Sequence, residues 1–126
     1  MHRSRVYGIL IDSPLAQAAG AAELWSAALG APARPAPGEE QFIVLADAVP
    51  GLMTAVQAVD DEPRYHVDIE TDDVDAEVAR LLVLGATEVS RSLDCHVLRA
   101  PGGHLLCVIP VHSDPAFFAE RSRAWP

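Results

Sequence analysis

The chain is poor in cysteine, in basic residues and in long apolar runs, and each shortage removes a class of function. Two cysteines, Cys95 and Cys107, in 126 residues are too few for a disulfide framework, and both are expected as free thiols. Nine Lys plus Arg stand against eighteen Asp plus Glu, a formal net charge of −9. Such a balance repels a phosphate backbone and supplies no basic stripe, so nucleic acid is not an expected partner. Half of the residues (50%) are hydrophobic, yet no apolar run approaches the roughly 18–20 residues that cross a bilayer, and no membrane span is expected. The basic start Met1-His2-Arg3-Ser4-Arg5 leads into an apolar stretch that Asp12 interrupts too soon for a secretory signal, which reads as a cytoplasmic chain.

What the sequence does have is a pattern that occurs twice. Val6 to Ile11 is a short apolar strand, and Asp12-Ser13-Pro14 offers caps and a first-turn proline for a helix beginning near Pro14. Leu15, Ala18, Ala22, Trp25 and Leu29 then recur in steps of three and four, which places them on one stripe, and Gly30 ends the helix. Tyr65 to Glu70 is again a strand, Thr71-Asp72-Asp73 again offers caps, and Val74, Val78, Leu81 and Leu82 share a helical face before Gly85. Both helices close on the same tripeptide, Leu29-Gly30-Ala31 and Leu84-Gly85-Ala86.

Three short strands follow each helix. In the first module they are a weak strand near Ala33, then Gln41 to Ala46, then Leu52 to Val59 after the turn Val49-Pro50-Gly51. In the second they are Thr87 to Ser90, Cys95 to Arg99 and His104 to Val111, with Pro101-Gly102-Gly103 as the hairpin turn. The sequence therefore predicts an α+β chain of two βαβββ modules, about residues 5–60 and 64–111, with a last helix over about 114–123 opened by Asp114-Pro115. The length suits a single domain over 1–126 that buries roughly two-thirds of its unfolded surface.

Three stretches carry a family resemblance: Leu24-Trp25-Ser26-Ala27-Ala28-Leu29-Gly30, His66-Val67-Asp68-Ile69-Glu70-Thr71-Asp72-Asp73-Val74-Asp75-Ala76, and Val97 to Ile109 around Pro101-Gly102-Gly103. Together they resemble the vicinal oxygen chelate superfamily of glyoxalases, bleomycin-resistance proteins and extradiol dioxygenases, above all its short bacterial glyoxalase-like branch. The resemblance implies a half-open mixed β barrel around a central cleft, helices outside, and often a homodimer. It also implies four inward side chains that hold a divalent ion in the family's metalloenzymes, and here those positions are Tyr7, Gln57, His66 and Cys107, with Glu39, Glu40 or Asp47 as alternatives to Gln57. An open catalytic cation site wants several His or carboxylate ligands, and only His66 suits one well, so no metal or other cofactor is expected.

Strand alternation puts His66, Asp68 and Glu70 on one face and Val67 and Ile69 on the other. An imidazole with two carboxylates could do acid–base chemistry if burial and like charge raised a carboxylate's pKa; the competing reading is a solvated face, above all for Glu70. Folding the last hairpin sets His96 roughly opposite Cys107, where a histidine could bind zinc with that thiol or deprotonate it; inert packing is the other reading of the cysteine. Tyr7 is a candidate for ligand stacking, whereas His2 and His104 read as solvated. Phe117, Phe118 and Trp125 either pack on their own sheet or pair two chains.

Two functions remain open. One is metal-free binding of a small organic ligand, cationic for preference, as in the drug-sequestering relatives, through Tyr7, Gln57, His66, Glu70, His96 and Cys107. The other is a small-molecule lyase or isomerase in which His66 works with Asp68 or Cys107, with or without a metal.

Overall fold

The computed structural model describes residues 1–92 and 94–126. The chain runs β1 (His2–Pro14), α1 (Ala18–Leu29), β2 (Ala33–Ala36), β3 (Glu39–Leu45), β4 (Met53–Val59), β5 (Arg64–Thr71), α2 (Val74–Val83), β6 (Thr87–Ser92), β7 (Cys95–Arg99), β8 (Leu105–Pro110), α3 (Pro115–Arg121) and β9 (Arg123–Trp125). Among the described residues this is an α+β fold of nine strands in a mixed sheet with three α-helices. The order strand, helix, three strands occurs twice and a short helix follows, as the turn residues and apolar spacing predict. No described helix is long and apolar enough to cross a membrane. The residues divide into two compact units: a central one, Gly8–His66, and a terminal one, Met1–Tyr7 with Val67–Pro126.

In the central unit the strand order is β2-β3-β4-β1, with β1 parallel to β4 and the other neighbours antiparallel. Strand β1 corrects the sequence reading. It does not stop at Ile11, because Gly8 to Pro14 pair in unbroken register with Met53 to Val59, and this ladder claims the Asp12-Ser13-Pro14 segment for the sheet. The helix starts at Ala18, after a 3-10 turn over Leu15–Gln17, and no side chain caps it.

Its buried stripe is consequently narrower than the spacing suggests. Ala18 and Ala22 are buried, Trp25 packs at the edge of a core of Ile11, Ala22, Ala31, Leu45 and Val56, and Leu15 and Leu29 stay exposed. Gly8 is demanded by the parallel pairing, since a Cβ there would run into the carbonyl oxygen of Met53. Gly30 ends α1 in the left-handed conformation at φ 64°, where glycine carries no Cβ penalty.

In the terminal unit the order is β5-β8-β7-β6, and β9 lies antiparallel to the start of β1, His2 opposite Trp125. Asp73 caps α2 by accepting the Ala76 N–H at 3.0 Å, as read from the sequence. Val78 joins Leu98 and Val108 in the core with Val74 and Leu81 against them, whereas Leu82, expected on that face, is largely exposed. Gly102 and Gly103, at φ 97° and 98°, turn the β7–β8 hairpin. Asp114 caps α3 with Pro115 in its first turn.

The late aromatics cover their own unit. Phe118 is buried, the Phe117 ring lies under the guanidinium groups of Arg5 and Arg121 at 5.0 and 5.3 Å, and the Trp125 indole donates to Ser4 Oγ at 2.8 Å.

Candidate functional site

In the central unit one polar cluster is buried beside the apolar core. Asp12 is 2% exposed and accepts at Oδ2 from two directions, from His66 Nδ1 at 2.8 Å and from Arg64 Nε at 3.2 Å. Arg64 also donates to Asp61 at 2.7 Å. Burial pulls the Arg64 pKa down, but the hydrogen bonds to Asp61 and Asp12 outweigh it, and the net shift is upward, so the guanidinium stays charged. The second oxygen, Asp12 Oδ1, is buried with no hydrogen-bond partner among the described residues, an exposed flank in an otherwise paired group.

A carboxylate on Nδ1 settles what His66 can do. With Asp12 accepting from Nδ1–H, the neutral ring carries its lone pair on Nε2, as a base or a ligand. His66 is 9% exposed, so the ring is nearly desolvated. Sequence reasoning missed Asp12 and Arg64 altogether. An Asp-Ser-Pro run has the composition of a helix cap, and nothing local betrays that the carboxylate's partner lies 54 residues away.

Along β5 the expected alternation holds, with His66 and Asp68 two residues apart. Cys107 stands on β8, in the terminal unit with Asp68, and His66 closes the central unit. Cys95 and Cys107 are both half-buried.

Glu70 departs from its reading as a solvated group: it is 0% exposed. Its Oε1 accepts the N–H groups of His112 and Ser113 at 2.8 and 2.9 Å, and its Oε2 accepts Arg5 Nη1 at 2.6 Å and the Ser113 hydroxyl. Burial pushes its pKa up, but the bonds from Ser113, His112 and Arg5 more than reverse this, and the net shift is downward. A carboxylate so held is a permanent anion tying the 112–113 backbone to β5, so the expected upward shift toward neutrality does not occur there.

His96 needs a second correction. The hairpin register sets His96 opposite Val108, and Val97 opposite Cys107. One residue of register reverses the face, so His96 lies with Leu98 and Val108, the face packed against α2, and not with Cys107. It is buried, its Nδ1 has no hydrogen-bond partner among the described residues, and Glu88 Oε1 is 3.6 Å away.

His2, read as solvated, is also buried and meets Glu77 Oε1 at 2.8 Å. Tyr7 is half-buried with its ring 5.6 Å from that of His112, and its pKa is raised, first by burial and then by the charges of Glu70 and Asp68. Gln57 sits on β4 opposite both Asp12 and Phe42. Of its alternatives, Glu39 opens β3 and Asp47 occupies the turn after that strand with φ 54°.

This arrangement of repeated βαβββ units belongs to a known class. The glyoxalase-like domain model matches residues 8–109, and the chain belongs to that family, within the vicinal oxygen chelate superfamily. No curated protein sequence matches it. Among solved structures it is similar in fold to methylmalonyl-CoA epimerase from Mycobacterium tuberculosis, with a TM-score of 0.56 and 19% identity over 84% of this chain and 89% of that one.

Proposed function

We propose that this glyoxalase-like protein is a small-molecule lyase, isomerase or epimerase in which His66 moves a proton at a carbon next to a carbonyl. The observation that carries the reading is the buried hydrogen bond of 2.8 Å from His66 Nδ1 to Asp12. It orients the ring, sets the tautomer and stabilises the imidazolium formed when Nε2 accepts a proton. Arg64 donates to the same Asp12 oxygen and sets a second positive group beside it. The epimerase among the structural relatives agrees with proton removal as the reaction type.

Proton exchange tests the reading. Small ketones, hydroxyaldehydes and acyl thioesters are incubated in D2O with protein stripped of metal and then with added zinc, nickel, manganese or iron. Wild type should exchange the C–H next to the carbonyl in at least one class, and His66→Ala should lose it. Exchange that survives His66→Ala, or none in any class with any ion, overturns the proposal.

A second reading, metal-free capture of a cationic ligand, has one observation behind it. Tyr7 presents a half-buried ring whose pKa is raised first by burial and then by the charges of Glu70 and Asp68. Ligand binding that Tyr7→Ala abolishes and His66→Ala leaves untouched would favour it.

A further inference from the structure

The terminal unit contains a cavity of about 300 Å³ whose described lining includes neither Asp12 nor His66. The chain's nine basic residues are all arginines, and four of them, Arg5, Arg80, Arg121 and Arg123, line this one cavity. Glu77 is the one carboxylate among the described lining residues, and Arg5 is already paired with Glu70 outside the lining, in a protein whose net charge is −9. The remaining walls include Val6, Ile69 and the Trp125 ring.

Glu77 offsets the charge of Arg80, to which it is paired, and not those of Arg121 and Arg123. Arg80 donates to it through Nε and Nη2 at 2.8 and 2.9 Å, and His2 meets Oε1 at 2.8 Å. Held there, the Arg80 guanidinium lies 3.9 Å from the centre of the Trp125 ring. Two of its five N–H donors serve Glu77, and the other three remain for a further acceptor. Arg121 and Arg123 are exposed and form no salt bridge among the described residues.

We propose that this cavity binds a small organic carboxylate, its head held by Arg80, Arg121 and Arg123 and its apolar body against Val6, Ile69 and Trp125. The volume is at the lower end of the roughly 300–1,000 Å³ usual for small-molecule sites. Guanidinium forks match a carboxylate edge-on, and the apolar walls favour an anion with a hydrocarbon body over a bare inorganic one. The site is independent of His66, so its fate does not follow that of the proton-transfer reading.

The chain has two tryptophans, which gives the test an internal control. Sodium benzoate is titrated at constant ionic strength while the indole N–H signals of Trp125 and Trp25 are followed by NMR, with inorganic phosphate and benzylamine in parallel. Benzoate should move the Trp125 signal saturably and leave Trp25 in place, phosphate should bind more weakly, and benzylamine should not bind. The double variant Arg121→Gln/Arg123→Gln, both positions exposed and so without effect on folding, should weaken benzoate about tenfold or more. The proposal fails if benzoate does not saturate, if both indoles move together, if the double variant binds as wild type does, or if phosphate or benzylamine matches benzoate.

Discussion

Asp12 in the central unit and Glu77 in the terminal unit are both almost wholly buried carboxylates, each facing one histidine and one arginine, yet they are satisfied very differently. Glu77 receives a two-pronged arginine and a histidine over both of its oxygens. Asp12 takes histidine and arginine on one oxygen and leaves the other buried without a partner among the described residues. Its neighbour in kind, Glu70, has four donors over two oxygens. Folding alone selects full satisfaction, because an unpaired buried polar atom costs about 1–3 kcal/mol. On the proton-transfer reading proposed above, a carboxylate left half-served beside a desolvated imidazole acts on that imidazole.

The largest effect expected from this contrast is on chemistry. His66→Ala should lower proton exchange by about 10²–10⁴-fold while melting stays close to wild type. An equal loss of stability and activity would make the dyad a packing feature and erase its difference from Glu77.

Next comes the terminal unit. Glu77→Ala strands His2 and Arg80 together, and thermal unfolding should show a loss of about 3 kcal/mol, roughly 10 °C in melting temperature. A change below about 1 kcal/mol would mean that the saturated carboxylate contributes no more than an exposed ion pair.

The same group has a signature in pH. Burial alone would raise its pKa, but the bonds from Arg80, His2 and Ser4 lower it from 4.5 to about 2. The folded value lies below the unfolded one, so between them the unfolded chain binds the proton more readily. The contribution is complete above about pH 4.5 and disappears as the pH falls toward 2, and Glu70, shifted in the same direction, adds to it. Glu77→Gln should therefore flatten the acid limb of stability by at most about 3 kcal/mol, read from urea unfolding at stepped pH. An unchanged acid limb would assign acid unfolding to other carboxylates.

How far the sequence alone reaches depends on the range of the interaction. The Leu-Gly-Ala stops, the Asp73 and Asp114 caps and the Pro101-Gly102-Gly103 turn are local, and the elements they delimit fall where expected. Asp12-Ser13-Pro14 has equally good cap chemistry and fails, because pairing with Met53–Val59 outbids a cap that no local residue completes. His66 and Asp68 could be placed by alternation within one strand. His96 could not be placed relative to Cys107, since that required the hairpin register to the residue. The partners that define Asp12 and Glu70 lie 54 and 43 residues away and leave no local trace, and Glu77 adds to its local partner Arg80 a histidine 75 residues away.

The smallest expected effect is the sharpest test of the comparison. Asp12→Asn keeps the shape, keeps an acceptor for His66 Nδ1 and removes a charge that is only partly compensated, so stability should move by less than about 1 kcal/mol in either direction. The amide can also present its NH2 to the ring, which favours the tautomer with the proton on Nε2, and the imidazolium loses its counter-charge. Proton exchange should then fall steeply in a protein that melts almost normally. Glu77→Gln should do the reverse, melting early with exchange intact below its transition. If Asp12→Asn instead loses as much stability as Glu77→Gln, the two carboxylates do the same work, and the orphaned oxygen of Asp12 marks nothing about chemistry.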